Sequence, residues 1–260
     1  MEQSIFKIIK QAGQMMLDAK LDSLDTHSKT NFRDVVTDYD IKIQQFLKEE
    51  LLKICSDALF IGEESDSNPK NYYKKAFIVD PIDGTANFTF GYRHSCCSIA
   101  YVEDDKVIMG AVYNPYMDEL FSAKKGEGAK LNGKPIKVMD GNLKDGIVIF
   151  GTSPYSTSAT ETTFKLAKAT YEASMDVRRT GSAALDLCYV AAGRNILYFE
   201  GNLAPWDYAA AAFILEEAGG VYSDWNEAPM TLRDKTSIVG ANPKAYKEWL
   251  KLKDSVLKSN

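Results

Sequence analysis

Two aspartates three residues apart, Asp80 and Asp83, close the run Ala76-Phe77-Ile78-Val79-Asp80-Pro81-Ile82-Asp83, and Gly84-Thr85 follows at once. An apolar stretch of this kind reads as a buried strand, and the glycine after it as a turn toward a helix. Any fold of this chain must therefore carry a buried strand to a rim and leave carboxylates there. Two carboxylates that close repel each other, so both stay ionised only with a cation between them. Gly84, Thr85 and Ala86 would open the helix with backbone N–H groups that have no intrahelical acceptor, a ready anion site. Oxygen ligands for a hard divalent cation beside amides for an anion suggest metal-assisted phosphate chemistry.

The rest of the composition narrows the chemistry. At 260 residues the chain can hold one large domain or two small, intimately packed ones, and 45% apolar with 26% charged residues is ordinary for a soluble globular protein. No window approaches the roughly 20 apolar residues of a membrane span, and the first residues lack a secretory pattern, so a cytoplasmic protein is expected. A net charge of −5 disfavours a surface that binds nucleic acid by neutralising phosphates. Bound cations can still reverse the local sign of a site. With only His27 and His94 available, imidazole-based catalysis has few candidates. Cys55, Cys96, Cys97 and Cys188 show no metal or redox spacing and read as buried free thiols. Cys96 and Cys97, adjacent in a strand-like run, should face opposite sides.

Along the chain, Ile5, Ile8, Ile9, Ala12, Met16 and Ala19 form a helical stripe, and Ile43, Phe46, Leu47, Leu51 and Ile54 form a second. Thr37 and Asp40 have capping-box spacing at the entry to that second helix. Strands are expected at Leu59–Ile61, Phe77–Val79, Ser95–Val102 and Val107–Tyr113, with an Asn132-Gly133 hairpin between Ala129–Leu131 and Pro135–Val138. The polar run Gly151–Thr163 separates an N-terminal half, about 1–150, from a C-terminal half, about 151–260. That second half predicts helices at Thr163–Ala173, Ser182–Ala192 and Pro205–Glu217, strands at Ile196–Phe199 and Ser237–Ala241, and a terminal helix from Pro243. Strands that cluster and then alternate with helices imply layered sheets and helices. With no repeat and no long linker, the chain reads as one catalytic domain over 1–260.

Other acids join Asp80 and Asp83. Ile61-Gly62-Glu63-Glu64-Ser65 puts Glu63 and Glu64 just past another apolar strand, and Ala204-Pro205-Trp206-Asp207 puts Asp207 in a first helical turn. Singly, each has a plain structural use. Asp207 complements a helix dipole, Glu63-Glu64 makes a solvated turn, and Asp-Pro and Asp-Gly are common turn pairs.

Taken together, Gly62-Glu63-Glu64-Ser65, Asp80-Pro81-Ile82-Asp83-Gly84-Thr85-Ala86-Asn87-Phe88 and Trp206-Asp207 through Glu217-Ala218-Gly219-Gly220 occur in the order found in the inositol monophosphatase family, which the chain resembles from its first helix to its last. The resemblance implies an α+β fold, a layered α-β-α-β-α sandwich, and a Mg²⁺-dependent, lithium-sensitive phosphatase that works as a homodimer. It implies that Glu63, Asp80 and the Ile82 carbonyl hold a first magnesium, that Asp80, Asp83 and Asp207 hold a second, and that Glu63 helps place a third. A water would attack phosphorus directly and in line, with no phosphoenzyme, oriented by Thr85 with help from Asp40; Asp38 competes for that role. Gly84 and Thr85 amides would grip the phosphoryl oxygens, and Lys29 would sit on a loop near the phosphate. Gly181, Ser182, Ala183 and Glu200 match the family's substrate pocket, where Glu200 accepts hydroxyl hydrogens from a polyol.

Two features depart from the family pattern. Tyr208 stands where a small residue is common, which would alter packing behind Asp207. Arg178-Arg179 before Thr180-Gly181 either widen tolerance to a second anion, as in a dinucleotide phosphate or sugar bisphosphate, or are spent on solvent and a surface acid. The substrate expected first is inositol monophosphate. NADP 2′-phosphate, fructose 1,6-bisphosphate and other small phosphorylated alcohols stay open on the same metal half. A different class of function, a binding factor for transcription or ribosome assembly, stands beside these.

Overall fold

Strand parity sorts the hydrophobic residues into layers. The computed structural model describes residues 1–21, 26–28, 35–65, 71–153 and 159–258; Lys29 lies outside them. The first half runs α1 (Glu2–Leu17), β1 (Thr26–Ser28), β2 (Val35–Thr37), α2 (Asp38–Ile54), β3 (Leu59–Gly62), β4 (Lys75–Asp83), α3 (Thr85–Thr89), β5 (Cys96–Glu103), β6 (Lys106–Asn114), β7 (Glu119–Lys124), β8 (Ala129–Leu131) and β9 (Lys134–Pro135). The second runs β10 (Ile147–Phe150), α4 (Thr160–Ala173), β11 (Asp176–Arg178), α5 (Ala183–Ala191), β12 (Leu197–Leu203), α6 (Pro205–Glu217), β13 (Val221–Ser223), β14 (Thr236–Ala241) and α7 (Pro243–Lys258).

Strands β3 to β9 form a seven-stranded sheet in sequence order, in which β3 and β4 are parallel and the other neighbours antiparallel. A five-stranded sheet has the order β11-β10-β12-β14-β13. In β4, Phe77 and Val79 join Ile5, Ile9, Ile43 and Leu47 of α1 and α2, while Ala76 and Ile78 join α5 and α6 on the opposite face. Cys97 and Cys96 split between the same two faces. Tyr198 and Ile238 of the smaller sheet complete the middle layer around α5 and α6. The far face of that sheet buries Val148, Leu197, Phe199 and Val239 against Leu166 of α4 and Trp249 of α7. The order is α1/α2, large sheet, α5/α6, small sheet, α4/α7: the five-layered sandwich expected.

A helix between two sheets must be apolar all round, and α6 is buried from Tyr208 to Leu215. Its alanines let it lie close: a Cβ at Gly110 of β6 would stand 2.7 Å from the Ala210 carbonyl oxygen. Tyr208 does not disturb this packing. It is buried in the middle layer, and its hydroxyl donates to the Thr231 carbonyl.

Several boundaries differ from expectation. The strand after the Asn132-Gly133 turn is only Lys134–Pro135, and α4 starts at Thr160 inside the run taken as polar linker. Strand β12 continues past the expected Phe199 to Leu203, so Glu200 lies within it. Strands β1, β2, β7, β10, β11 and β13 were not expected; β11 and β13 are short edge strands. Among the described residues no helix is long and apolar enough to cross a membrane.

Candidate active site

In a regular strand, side chains three apart point to opposite faces. In β4, Asp80 pairs with Ser98 and Asp83 with Cys96, so three steps on one strand oppose two on its neighbour. That is a β-bulge, and it restores Asp80 and Asp83 to one face. Pro81, which has no N–H to give a ladder, sits inside it. The Asp80 carboxylate also turns back to accept the Ile82 amide at 3.0 Å. Both aspartates therefore face the middle layer, where α5 and α6 begin.

Asp83 meets the start of α5. One oxygen accepts the Ser182 hydroxyl and, at 2.8 Å, the Ala184 amide, so a helix N-terminus compensates its charge. Asp207, in the first turn of α6, accepts the Ala204 amide at 2.7 Å. Glu63 follows β3, whose pairing with β4 carries on as its amide donates to the Val79 carbonyl at 3.3 Å. Gly62 leaves room for Gln44, whose side chain accepts the Glu64 amide at 2.8 Å.

These four carboxylates repel. Burial first, then the charges of Glu63, Asp83 and Asp207, raise the Asp80 carboxyl well above its ordinary range. Burial, then Glu63 and Asp83, raise Asp207 in the same way. Burial lifts Asp83 to about 7 against the hydrogen bonds from Ser182 and Ala184 that pull it down. Among the described residues no group of three or more acidic, histidine or cysteine side chains is already drawn into metal-holding spacing. The cluster is a rim of mutually repelling carboxylates, not a closed cage. Its chemistry fits magnesium: the donors are all oxygen, Asp80 and Asp83 are buried with Glu63 and Asp207 half-buried beside them, and a cation would relieve their repulsion.

Beside the rim, Thr85 Oγ1 lies 3.2 Å from Asp40 Oδ1 and 3.0 Å from the Ile82 carbonyl oxygen. Asp40 serves as both cap and partner. Its other oxygen accepts the Thr37 amide at 2.8 Å and the Thr37 hydroxyl at 2.6 Å, and burial raises its carboxyl to about 7. Asp38, the competing acid, pairs with Lys42 instead. Gly84 caps α3 at φ +86°, a backbone conformation that favours glycine, and a Cβ there would crowd the Gly181 and His94 carbonyls.

Gly84, Thr85, Gly181, Ser182, Ala183 and Glu200 line one cleft with Asp83 and Asp207. Ser182 faces it with its hydroxyl committed to Asp83. Glu200 is buried. One of its oxygens accepts the Ser153 amide at 2.6 Å and hydroxyl at 3.1 Å, and the other accepts Tyr198 OH. A Cβ at Gly151 would fall 1.9 Å from that second oxygen. The sequence assigns no site role to Ser153, Tyr198, Gly151 or the cleft-lining Asp186. Tyr198 and Glu200, two apart in a strand, carried a same-face signal; Ser153, a loop residue at φ +43°, carried none.

The inositol monophosphatase family model matches residues 1–256. The chain belongs to the inositol monophosphatase family. It is 36% identical over 95% of both chains to a putative Nus factor, SuhB, of Neisseria meningitidis. It is also 39% identical to inositol monophosphatase 2 of Saccharomyces cerevisiae, over 82% of this chain and 78% of the yeast protein. The solved inositol monophosphatase of Thermotoga maritima superposes with a TM-score of 0.89 at 29% identity, covering 100% of this chain and 99% of the other. An inositol monophosphatase/NADP phosphatase solved with Mg²⁺ and phosphate gives 0.86 at 25% identity, over 96% and 94%. Family and relatives together support a phosphatase.

Proposed function

We propose that the protein hydrolyses phosphate monoesters of small polyols, inositol monophosphate foremost, with magnesium and by direct in-line attack of water. The observation that carries this reading is the bulge that turns Asp80 and Asp83 to one face, toward Asp207 and Glu63 and beside Thr85. Glu63, Asp80, the Ile82 carbonyl, Asp83 and Asp207 would hold two to three ions. Bound there, magnesium lowers the pKa of water and offsets charge on the phosphoryl and leaving oxygens.

The chain's own groups do the rest. The Thr85 hydroxyl has one proton and two neighbouring acceptors, so when the Ile82 carbonyl is engaged elsewhere the proton goes to Asp40. The Thr85 oxygen is then free to accept from the attacking water and orient it. Backbone amides of Gly84 and Thr85 hold phosphoryl oxygens without reorganising. Glu200, fixed by Ser153 and Tyr198, receives polyol hydroxyls. The enzyme works as a cytoplasmic homodimer, which light scattering would check.

Phosphate release from inositol 1-phosphate, histidinol phosphate and 3′-phosphoadenosine 5′-phosphate tests the reading, each with Mg²⁺, with EDTA, and with Mg²⁺ plus Li⁺. Magnesium-dependent, lithium-blocked release led by the inositol ester supports it. No release from a folded, magnesium-supplemented protein overturns it. A second reading, favoured by the similarity to proteins named Nus factors, is a binding role with transcription machinery. It requires a pulldown that survives loss of Asp83.

A further inference from the structure

Adjacent arginines at the end of β11 have different fates. Arg178 turns back on its own strand, paired with Asp176 and donating to the Val177 carbonyl at 2.8 Å. Arg179 reaches the cleft instead. Its Nη2 donates to Thr152 Oγ1 at 3.0 Å. Its Nη1 occupies space that only a glycine leaves: a Cβ at Gly181, already at φ +96°, would lie 2.6 Å from it. The fork is therefore steered by Thr152 and Gly181, and it remains exposed.

The acids lining the cleft divide by the role proposed for them. Asp83 and Asp207 belong to the proposed metal rim, and Gly84 and Thr85, which follow Asp83 in the chain, are proposed to hold the scissile phosphate. The Arg179 charge acts on Glu200 and Asp186, the two lining acids that carry no proposed metal. Among the described residues it is the one cationic side chain lining the cleft. A guanidinium has five N–H donors in a planar fork suited to phosphate oxygens. Thr152 uses one.

We propose that Arg179 is a specificity-determining residue that receives a second anionic group on the alcohol part of the substrate, so that the cleft takes phosphomonoesters bearing another phosphate as well as neutral polyol phosphates. This rests on the phosphatase reading above. The shared chemistry is a phosphate oxygen pair at the alcohol end, supplied by a sugar bisphosphate or by the diphosphate of a 2′-phosphorylated dinucleotide. A residue that merely screened Glu200 and Asp186 would affect every substrate alike.

The test is steady-state hydrolysis of inositol 1-phosphate, fructose 1,6-bisphosphate and NADP by the magnesium-supplemented enzyme and by Arg179→Ala, Arg179→Lys and Arg178→Ala. Losing a charge-assisted hydrogen bond should raise KM for a two-anion substrate on the order of 10-fold. The inositol ester should move no more than about twofold, because Arg179 has no anion to meet there. Arg179→Lys should keep part of the effect, and Arg178→Ala none. Whichever of the two larger substrates shows the selective loss identifies the source of the second anion. Equal KM changes on all three substrates overturn the proposal. So does wild-type turnover of inositol 1-phosphate with neither larger substrate cleaved. No turnover of any substrate contradicts the phosphatase reading itself and removes this inference with it.

Discussion

Thr85 Oγ1 lies 3.2 Å from Asp40 Oδ1, although the two residues are 45 positions apart and arrive on different helices. Thr85→Ala removes the hydroxyl proposed to orient water and should lower kcat roughly 100- to 10,000-fold, with KM little changed. Asp40→Asn should lower kcat similarly and also weaken the α2 cap, costing about 1 kcal/mol of stability. Kinetics on inositol 1-phosphate with parallel thermal melts check both. A large KM change with intact kcat would assign the pair to binding.

Without metal, Asp83 contributes to the pH dependence of stability alongside Asp40, Asp80 and Asp207, because burial lifts its carboxyl from 3.8 to about 7. Between those values the folded protein keeps a proton that the unfolded chain releases. Stability is therefore full below the lower value and falls as pH rises through about 7. In EDTA, melting temperatures from pH 4.5 to 8.5 should fall more steeply for wild type than for Asp83→Asn. Added Mg²⁺ should flatten the wild-type curve. Parallel slopes in EDTA would refute the assignment.

Glu200 is held by Ser153 and Tyr198 before any substrate arrives. Glu200→Gln should spare an aryl phosphate and raise KM for inositol 1-phosphate several-fold. Ser153→Gly suits the positive φ but drops the hydroxyl donor, and it should give a smaller loss in the same direction. Equal losses on both substrates would make Glu200 structural.

Away from the site, Gly110→Val should destabilise by about 1–3 kcal/mol, because even a Cβ meets the Ala210 carbonyl at 2.7 Å. Denaturant titration reads this. Unchanged stability would mean α6 shifts freely between the sheets.

The layered order was legible because its signals are long and periodic. Pro205 and Gly219 bracket α6, and Phe77–Val79 is too apolar for anything but a buried strand. Strands β11 and β13 are three-residue edges whose pairing depends on partners distant in sequence, so no local pattern marks them. The acids of the rim were visible as types. Their convergence was expected from closeness and from the family resemblance, but the backbone device behind it was not: regular strand spacing puts Asp80 and Asp83 on opposite faces, and only the register with Ser98 and Cys96 reveals the bulge. Likewise nothing in Arg178-Arg179 says which one Asp176 takes.

The central claim is that Asp80, Asp83, Asp207 and Glu63 form the magnesium site that drives hydrolysis. Its most direct test is a calorimetric Mg²⁺ titration of wild type and Asp83→Asn, with phosphate release from inositol 1-phosphate measured on the same samples. Wild type should bind Mg²⁺ and turn over, whereas Asp83→Asn, still folded, should bind it at least tenfold more weakly and release no phosphate above background. Wild-type Mg²⁺ affinity and turnover in Asp83→Asn would contradict the account.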